Sequence, residues 1–536
     1  MTFRILVTDE IDREGVELLR AEPRFVVDES PTLSPDELLR RIGDYDAIIG
    51  RSATRVSESL LEAATRLKVV GRAGVGVDNV AIEAATRLGI AVINAPYGNT
   101  VAVAELWYGV MLGLVRMIPR AQQSMQDGRW ERADLLGTEL KGRTLGIVGL
   151  GRIGGEITAR AKPFGMRVIA YDPYIADERF QALGVTRMAT LDALSAEADI
   201  VTVHTPLTDE TRGMIGAAQL ARLKRGALVA NLARGGIVQD DALKAAILSG
   251  RVGGAALDVY MSEPLKGDHM WRGVPNVLLT PHIGASTAEA QRNVAVDACA
   301  AVRDALLHDD LSGSLNVNSP AGDWVALQPA VLLARRCASV ARTMLADRGH
   351  RAVEEVVLRV GADLTSAAAT LLSSAALGVL EGTAESSRLN LINARALAST
   401  RGITLGVGSG GVAPHPRAIE VRVTAGDQNL RVGGVAPVDA PARLTRVGDF
   451  HVDVAPRDTL IVLTNHDVPG VIGRVGTALG DAGVNIAEYH QARMAEGGEA
   501  LAVISVDGPG DPALRETLLA LPDVQAASIV RFGARN

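Results

Sequence analysis

The stretch TLGIVGLGRIGGE, Thr144–Glu156, sets Gly149, Gly151 and Gly154 in a G-x-G-x-x-G spacing directly after an apolar run. A chain with 56 glycines produces such spacings by chance, so the flanking sequence decides the meaning. Leu145–Val148 reads as a strand and Arg152 to about Lys162 as a helix. The following strand-like run, RVIAYD, ends in Asp172, 23 residues after Gly149. In that setting Gly149 permits a tight turn, Gly151 lets backbone approach a pyrophosphate, and Gly154 lets helix and strand pack closely. The helix N-terminus offers unpaired N–H groups and positive dipole to phosphates. Asp172 is placed to accept hydrogen bonds from adenosine ribose hydroxyls, and its charge repels a 2′-phosphate. The loop therefore reads as a dinucleotide site that prefers NAD to NADP.

Outward from this loop, short β-branched runs alternate with helical patterns through about Ser319. Upstream, FRILVTD, DAIIG, KVVGRAG and AVINAP read as strands, with helices such as Asp36–Ile42 and Ser57–Arg66 between them. One long helix is expected over roughly Val101–Gly128. From Thr144 six strand-like runs follow, ending in NVLLTPH, which is the content of a full doubly wound dinucleotide domain. A long helix is expected from about Thr287. Residues 320–452 change texture to Ala, Gly and Val, with two helical stretches followed by strand-like runs. The last 80 or so residues read β-α-β-β-α-β, a small ferredoxin-like module. The fold class is thus α/β for most of the chain.

Composition excludes several functions. At 536 residues the chain suits three or four domains of the usual ~100–200 residues. A net charge of −7 argues against nucleic acid as a partner. Two cysteines, Cys299 and Cys337, without C-x-x-C spacing argue against disulfide scaffolding and a thiolate metal site, and fit a reducing cytoplasm. The N-terminus lacks a signal-peptide pattern. The small-residue stretch Thr365–Leu380 is broken by hydroxyls and short for a membrane span. No metal and no membrane partner are expected.

Three strand-like runs end in groups fit for chemistry. NLARGGIV carries Arg234, LDVYMSEP carries Asp258 and Glu263, and LLTPHIGAST carries His282. Ligands of an open parallel sheet gather beyond the carboxyl ends of its strands, so these residues can meet there. Hydride exchange between a nicotinamide and an alcohol needs a group to move the hydroxyl proton, which suits His282. A carboxylate fixing that imidazole suits Glu263. A guanidinium clamping a substrate carboxylate and polarising the reacting carbonyl suits Arg234. His204, also at a strand end, reads as a structural residue on the cofactor side.

These segments, with GRAGVGVDNV (71–80) and GLGRIG (149–154), resemble the D-2-hydroxyacid dehydrogenase family over the first 320 residues or so. The resemblance implies a Rossmann-type NAD domain, 99–288, inserted in a flavodoxin-like split substrate domain, 1–98 and 289–319. It implies that Arg152, Ile153, Thr205 and Ala233 line the cofactor and that Asp258 faces the nicotinamide carboxamide. Among family members that oxidise 3-phosphoglycerate, Arg51, Ser52, Arg72 and the amides of Val75 and Gly76 correspond to groups holding phosphate and carboxylate. Arg132 corresponds to one reaching in from a neighbouring subunit. Residues 320–452 resemble the α+β intervening domain of the longer members. There Arg443 and Arg446 are weak candidates for a phosphorylated effector, because Asp449 stands where another basic residue is expected. LTNHDVPGVIGRVGTALGDAGVNIAEYHQAR, within 453–536, resembles the ACT regulatory domain, which implies L-serine held by Asn465, Asp467 and Asn485. A homodimer or tetramer is implied, with the Val101–Gly128 helix as dimer contact. Reduction of another 2-hydroxy-acid pair such as glyoxylate, or an NAD-sensing protein-binding scaffold, remain as alternatives.

Overall fold

The computed structural model describes residues 2–30, 33–317, 324–381, 388–409, 414–508 and 513–532. The expected boundary at 319/320 and the start of the last helix at Pro512 lie outside them.

The first sheet contains β1 (Phe3–Thr8), β2 (Phe25–Ser30), β3 (Ala47–Gly50), β4 (Val69–Arg72) and β5 (Ala91–Asn94), all parallel in the order 2-1-3-4-5. Its core joins Ile5, Val7 and Ile49 to Cys299, Val302 and Leu306 from the helix Ala288–His308. That helix is capped by Thr287, whose hydroxyl accepts the Ala290 amide at 3.1 Å. The chain leaves this sheet after β5 and packs on it again through the helix Ala288–His308.

The second sheet is parallel throughout: β6 (Thr144–Val148), β7 (Arg167–Tyr171), β8 (Thr186–Arg187), β9 (Ile200–Val203), β10 (Ala227–Asn231), β11 (Val252–Leu257) and β12 (Val277–Leu279) in the order 12-11-10-9-6-7-8. Sequence reading finds six of these strands. The seventh, β8, is a two-residue edge strand too short to carry a pattern. The order reverses at β6, with β9 on one side and β7 on the other, which places a binding crevice at the loop after β6.

The expected helix 101–128 is two helices, Thr100–Val115 and Ile118–Gln126, bent by 64°. Pro119 cannot donate to a continuing helical ladder, and Met117 turns left-handed at φ 53°. The second helix leaves Met125, Trp130 and Leu136 exposed along the arm that follows.

Beyond residue 323 a third sheet holds β13 (Glu355–Val360), β14 (Thr404–Val407), β15 (Ala418–Ala425), β16 (Gln428–Val435), β17 (Arg443–Val447) and β18 (Phe450–Val454), ordered 14-13-15-16-17-18. Contrary to the expected order of helices before strands, β13 lies between the two long helices, Trp324–Asp347 and Ala368–Leu380. The segment Ala362–Leu380 is long and apolar enough to cross a membrane, yet most of it is buried in this module's core. The terminal sheet holds β19 (Thr459–His466), β20 (Ile486–Arg493), β21 (Glu499–Val506) and β22 (Val524–Arg531), antiparallel in the order 20-21-19-22. Alternation along β19 sends Leu460 and Val462 into the core shared with helix Trp324–Asp347, and Ile461 and Leu463 toward the module's own helices.

Candidate active site

The strand β6 is buried throughout and ends in Gly149, whose φ is 94°. A Cβ there would stand 2.7 Å from the His204 carbonyl oxygen, so the turn is pressed against the chain leaving β9. A Cβ on Gly154 would stand 2.5 Å from the Gly149 carbonyl oxygen, which fixes helix Arg152–Ala161 against the turn. A Cβ on Gly151 would meet nothing within 4 Å. Gly151 opens the helix without a side-chain cap, so the first-turn N–H groups face that open space. Asp172 is fixed beside the loop: its carboxylate accepts the Leu150 amide at 2.9 Å and the Tyr174 amide at 3.0 Å. The Thr205 hydroxyl is buried without a partner among the described residues. A diphosphate at the loop would meet free amides and this hydroxyl, so the residues present fit NAD.

His204 shares the Thr202 hydroxyl, at 2.9 Å, with the Trp107 indole N–H, at 3.0 Å. Burial pushes its imidazole down to about 3, so it stays neutral in the working pH range. Arg152 turns away from the loop: it donates to the Pro96 carbonyl at 3.0 Å and lies 3.9 Å from the centre of the Tyr97 ring. Ile153 packs half-buried against the domain core. The Ala233 amide is held by Asn231 Oδ1 at 3.2 Å.

Arg234, Glu263 and His282 are drawn together by contacts that leave little freedom. A Cβ on Gly235 would stand 1.9 Å from the Tyr260 carbonyl oxygen, so the turn after Arg234 lies directly on the segment carrying Glu263. Glu263 accepts the Tyr260 amide through Oε1 at 2.9 Å, and its Oε2 stands 2.6 Å from His282 Nδ1. This fixes the imidazole and leaves Nε2 for other work. His282 itself is left-handed at φ 55°, a conformation costing about 1–2 kcal/mol for a residue with a Cβ. Asp258, buried beneath it, holds that turn: it accepts from the Thr280 hydroxyl at 2.6 Å and from the Ile283 and Gly284 amides, each at 2.8 Å. Tyr260, which sequence reading passed over, donates to the Thr280 carbonyl at 2.8 Å and closes the unit.

Asp240, at the start of helix Asp240–Leu248, is raised to about 6 by burial and then by Asp241. A carboxyl raised on folding favours the native state at low pH, and that advantage is lost as pH rises through about 6. Asp240→Asn should therefore raise Tm most at pH 8, by less at pH 5, and scarcely at all below the ordinary carboxyl value of 3.8, a trend that calorimetric scans across this range would show.

Across the cleft the first sheet presents an arginine cluster. Its strand order reverses between β1 and β3, so a ligand belongs beyond their carboxyl ends. Asp9, Arg51 and Arg72 stand there. Arg72 is lowered to about 10 by burial first, then by the charges of Arg51 and Arg234. The Nε atoms of Arg51 and Arg72 are buried without partners among the described residues. Arg234 crosses from the other domain: Nε donates to Asp78 at 3.0 Å, and Nη2 would stand 1.8 Å from a Cβ on Gly76. The Val75 carbonyl is taken by Asn94 Nδ2 at 2.6 Å. The amides of Val75 and Gly76 donate to no protein group among the described residues. Three guanidiniums and two free amides in one cleft make a strongly positive surface whose chemistry suits an anion. Ser52 is exposed at its rim, and Arg132 is exposed on the arm, out of the cluster within one chain. Sequence reading missed Asp9, Asp78 and Asn79, although each lies at a strand end or within GRAGVGVDNV; Asn79 Nδ2 ties the Arg51 and Thr54 carbonyls at 2.8 and 2.6 Å.

In the terminal module the three effector candidates do not converge. Asn465 pairs in register with Ala500, whereas the Asn485 carbonyl accepts the Asp507 amide just beyond the Thr459–Val506 pair. The two asparagines therefore stand at opposite ends of β19, roughly 20 Å apart at the usual rise per residue. Asp467 is paired with Arg493 at 3.1 Å, Asn465 donates to the His466 carbonyl at 2.7 Å, and Asn485 donates to Asp507 at 2.6 Å. One chain holds no single site built from all three. In the intervening module Arg443 is committed to Asp453 and, at 2.9 Å, to Glu488, while Arg446 faces Asp449 at 3.3 Å.

A carboxylate-braced imidazole, a guanidinium and a glycine-rich dinucleotide loop on two facing open sheets are the equipment of a D-2-hydroxyacid dehydrogenase. Residues 108–284 match the family model described as D-isomer specific 2-hydroxyacid dehydrogenase, NAD binding domain, and residues 459–523 match the ACT domain. The chain is 37% identical to a D-3-phosphoglycerate dehydrogenase of Synechocystis sp., over 99% of this chain and 95% of that one. It is 36% identical to those of Archaeoglobus fulgidus and Bacillus subtilis, over 99% and 98% of this chain and 100% and 99% of theirs. Among solved structures, a glyoxylate reductase from Paecilomyes thermophila superposes with a TM-score of 0.54 at 29% identity, covering 59% of this chain and 98% of its own. The chain belongs to the D-3-phosphoglycerate dehydrogenase family.

Proposed function

We propose that this enzyme oxidises the 2-hydroxyl of 3-phospho-D-glycerate to give 3-phosphohydroxypyruvate, the entry to L-serine synthesis. The observation that carries the assignment is the junction of the Glu263–His282 pair with an arginine cluster on the opposite domain. Bound NAD supplies the hydride acceptor. His282 Nε2 takes the hydroxyl proton as the C2 hydrogen leaves with its electron pair, and Glu263 holds the resulting imidazolium. Arg234 exchanges Asp78 for the substrate carboxylate and the developing carbonyl. Arg51, Arg72 and the Val75 and Gly76 amides hold the phosphate end, and Ser52 closes the rim. On the cofactor side the first-turn amides of Arg152, Ile153 and Gly154 and the Thr205 hydroxyl would hold the diphosphate, and Asp172 would hold the ribose. Asp258 serves by fixing the His282 turn.

The reading is tested by following NADH formation with 3-phosphoglycerate and with D-glycerate. With a charge-assisted hydrogen bond worth ~1.5–3 kcal/mol, losing the phosphate should lower kcat/KM by at least ~10²-fold. Equal rates on both would favour a reductase for unphosphorylated 2-hydroxy acids instead.

The enzyme is further inferred to work as a homo-oligomer in a reducing compartment. The exposed Met125, Trp130 and Leu136 of the arm, near Arg132, and the buried, unpaired Cys299 and Cys337 support this. The separation of Asn485 from Asn465 and Asp467 fits an L-serine site shared by two paired ACT modules, one giving each end. Calorimetric titration of the whole enzyme should then show serine binding abolished by Asn485→Ala. Unchanged affinity in that variant would remove Asn485 from the effector site.

A further inference from the structure

The segment Arg388–Asn393 belongs to the intervening module but plugs into the substrate domain. Leu389 and Leu391 pack against the intervening core, while Ile392, the next residue, packs in the core of the first sheet. The backbone is braced from within: Asn390 Oδ1 accepts the Ile392 amide at 3.0 Å, and Asn393 Oδ1 accepts the Asn390 amide at 2.9 Å. With both acceptors so used, the Asn390 donor points outward. Asn390 Nδ2 donates to the Gly89 carbonyl at 2.6 Å, while Asn393 Nδ2 donates within the segment to the Arg388 carbonyl at 2.9 Å and reaches the Arg87 carbonyl at 3.4 Å. Arg388 Nη2 donates to the Ala64 carbonyl at 2.9 Å. Gly89, at φ 70°, has no room for a Cβ, which would meet Asn390 Nδ2 at 2.7 Å and the Arg388 carbonyl at 2.8 Å.

These carbonyls close two short helices, Glu58–Ala63 and Ile82–Arg87. A helix leaves its last C=O groups without partners, and here another module supplies donors beside both ends. At their other ends the same helices emerge from loops 51–56 and 74–80, which carry Arg51, Ser52 and the Val75 and Gly76 amides of the substrate cluster. The two loops are tied as one body: Val56 pairs with Val80, the Val56 amide donates to the Asn79 carbonyl at 2.8 Å, and Asn79 holds the Arg51 and Thr54 carbonyls. Six helical residues span only ~9 Å, so a shift at the plug moves these two loops with little to absorb it.

We propose that Arg388–Asn393 is a positioning latch that sets the geometry of loops 51–56 and 74–80 for the substrate, and so carries the state of the intervening module to the active site. The proposal rests on the reading that Arg51, Arg72, Val75 and Gly76 hold the substrate. Asn390→Asp is the discriminating change. It keeps the oxygen that accepts the Ile392 amide but turns the outward donor into a carboxylate facing the Gly89 carbonyl. In the full-length enzyme KM for 3-phosphoglycerate should rise about fivefold or more, the low end of a typical coupling, with kcat and the KM for NAD held within about twofold. Amide exchange in 51–56 and 74–80 should quicken. Arg388→Ala, which removes the bond to the other helix, should act in the same direction and covers the case in which the asparagine variant does not fold. Unchanged exchange in these loops together with an unchanged KM in either folded variant overturns the latch. Arg72→Ala run in parallel separates the two ideas: if it leaves KM for 3-phosphoglycerate unchanged the substrate reading fails, while loop exchange still judges the latch.

Discussion

His282→Ala lowers kcat by about 10²–10⁴-fold, the usual worth of a positioned general base, while NAD affinity stays near that of the parent enzyme. Nothing on the 149–154 loop depends on the imidazole, and the bonds that hold its turn run through backbone amides to Asp258, so the fold survives the truncation. Stopped-flow measurement of the first turnover shows the loss at the chemical step. Glu263→Gln is the informative partner. The amide still reaches Nδ1 at the same distance but brings no charge to an imidazolium and can present an N–H where an acceptor is needed. Its loss should be a large fraction of that of His282→Ala, and the double variant should be scarcely worse than His282→Ala alone, because the two act as one unit. Full additivity of the two losses would show that the 2.6 Å contact has no part in the reaction.

Arg72→Ala raises KM for 3-phosphoglycerate by ~10–10²-fold, as expected for a charge-assisted contact removed from a half-buried site. Two opposing effects meet at this residue. Its removal relieves repulsion with Arg51 and Arg234, the repulsion that with burial lowers Arg72 to about 10, so the free enzyme should be as stable as the parent or slightly more so. A loss of substrate affinity without a loss of Tm is therefore the signature. Arg72→Lys should recover only part of the affinity, since an ammonium keeps the charge but not the planar fork. A fall in Tm with unchanged KM would assign Arg72 to the fold rather than to the substrate.

Much of this site was legible in the sequence because its logic is local. A G-x-G-x-x-G after a strand fixes its own geometry, and the strand-end rule gathers Arg234, Glu263 and His282 without any knowledge of side-chain contacts. What escaped was set by distant packing. Asp78 acquires its meaning only when Arg234, 156 residues away in sequence, lies beside it. Asp258 reads as a residue facing the cofactor, yet its oxygens are taken by the turn that carries His282. The bend at Met117 was hidden because the apolar pattern continues through it, although Pro119 marks the place. Asn465, Asp467 and Asn485 look like one cluster in a linear motif, but an antiparallel sheet sends the last of them to the far end. The 388–393 plug carried no signal at all, since two asparagines in an apolar stretch look like any turn.

The most direct measurement is a crystal structure of the His282→Asn enzyme, which turns over too slowly to consume its ligands, with NAD and 3-phosphoglycerate. The account predicts the C2 hydroxyl in hydrogen-bond reach of residue 282, the carboxylate on Arg234 in place of Asp78, and the phosphate among Arg51, Arg72 and the Val75 and Gly76 amides. A substrate lying elsewhere in the cleft, with Arg234 still paired to Asp78, would contradict it.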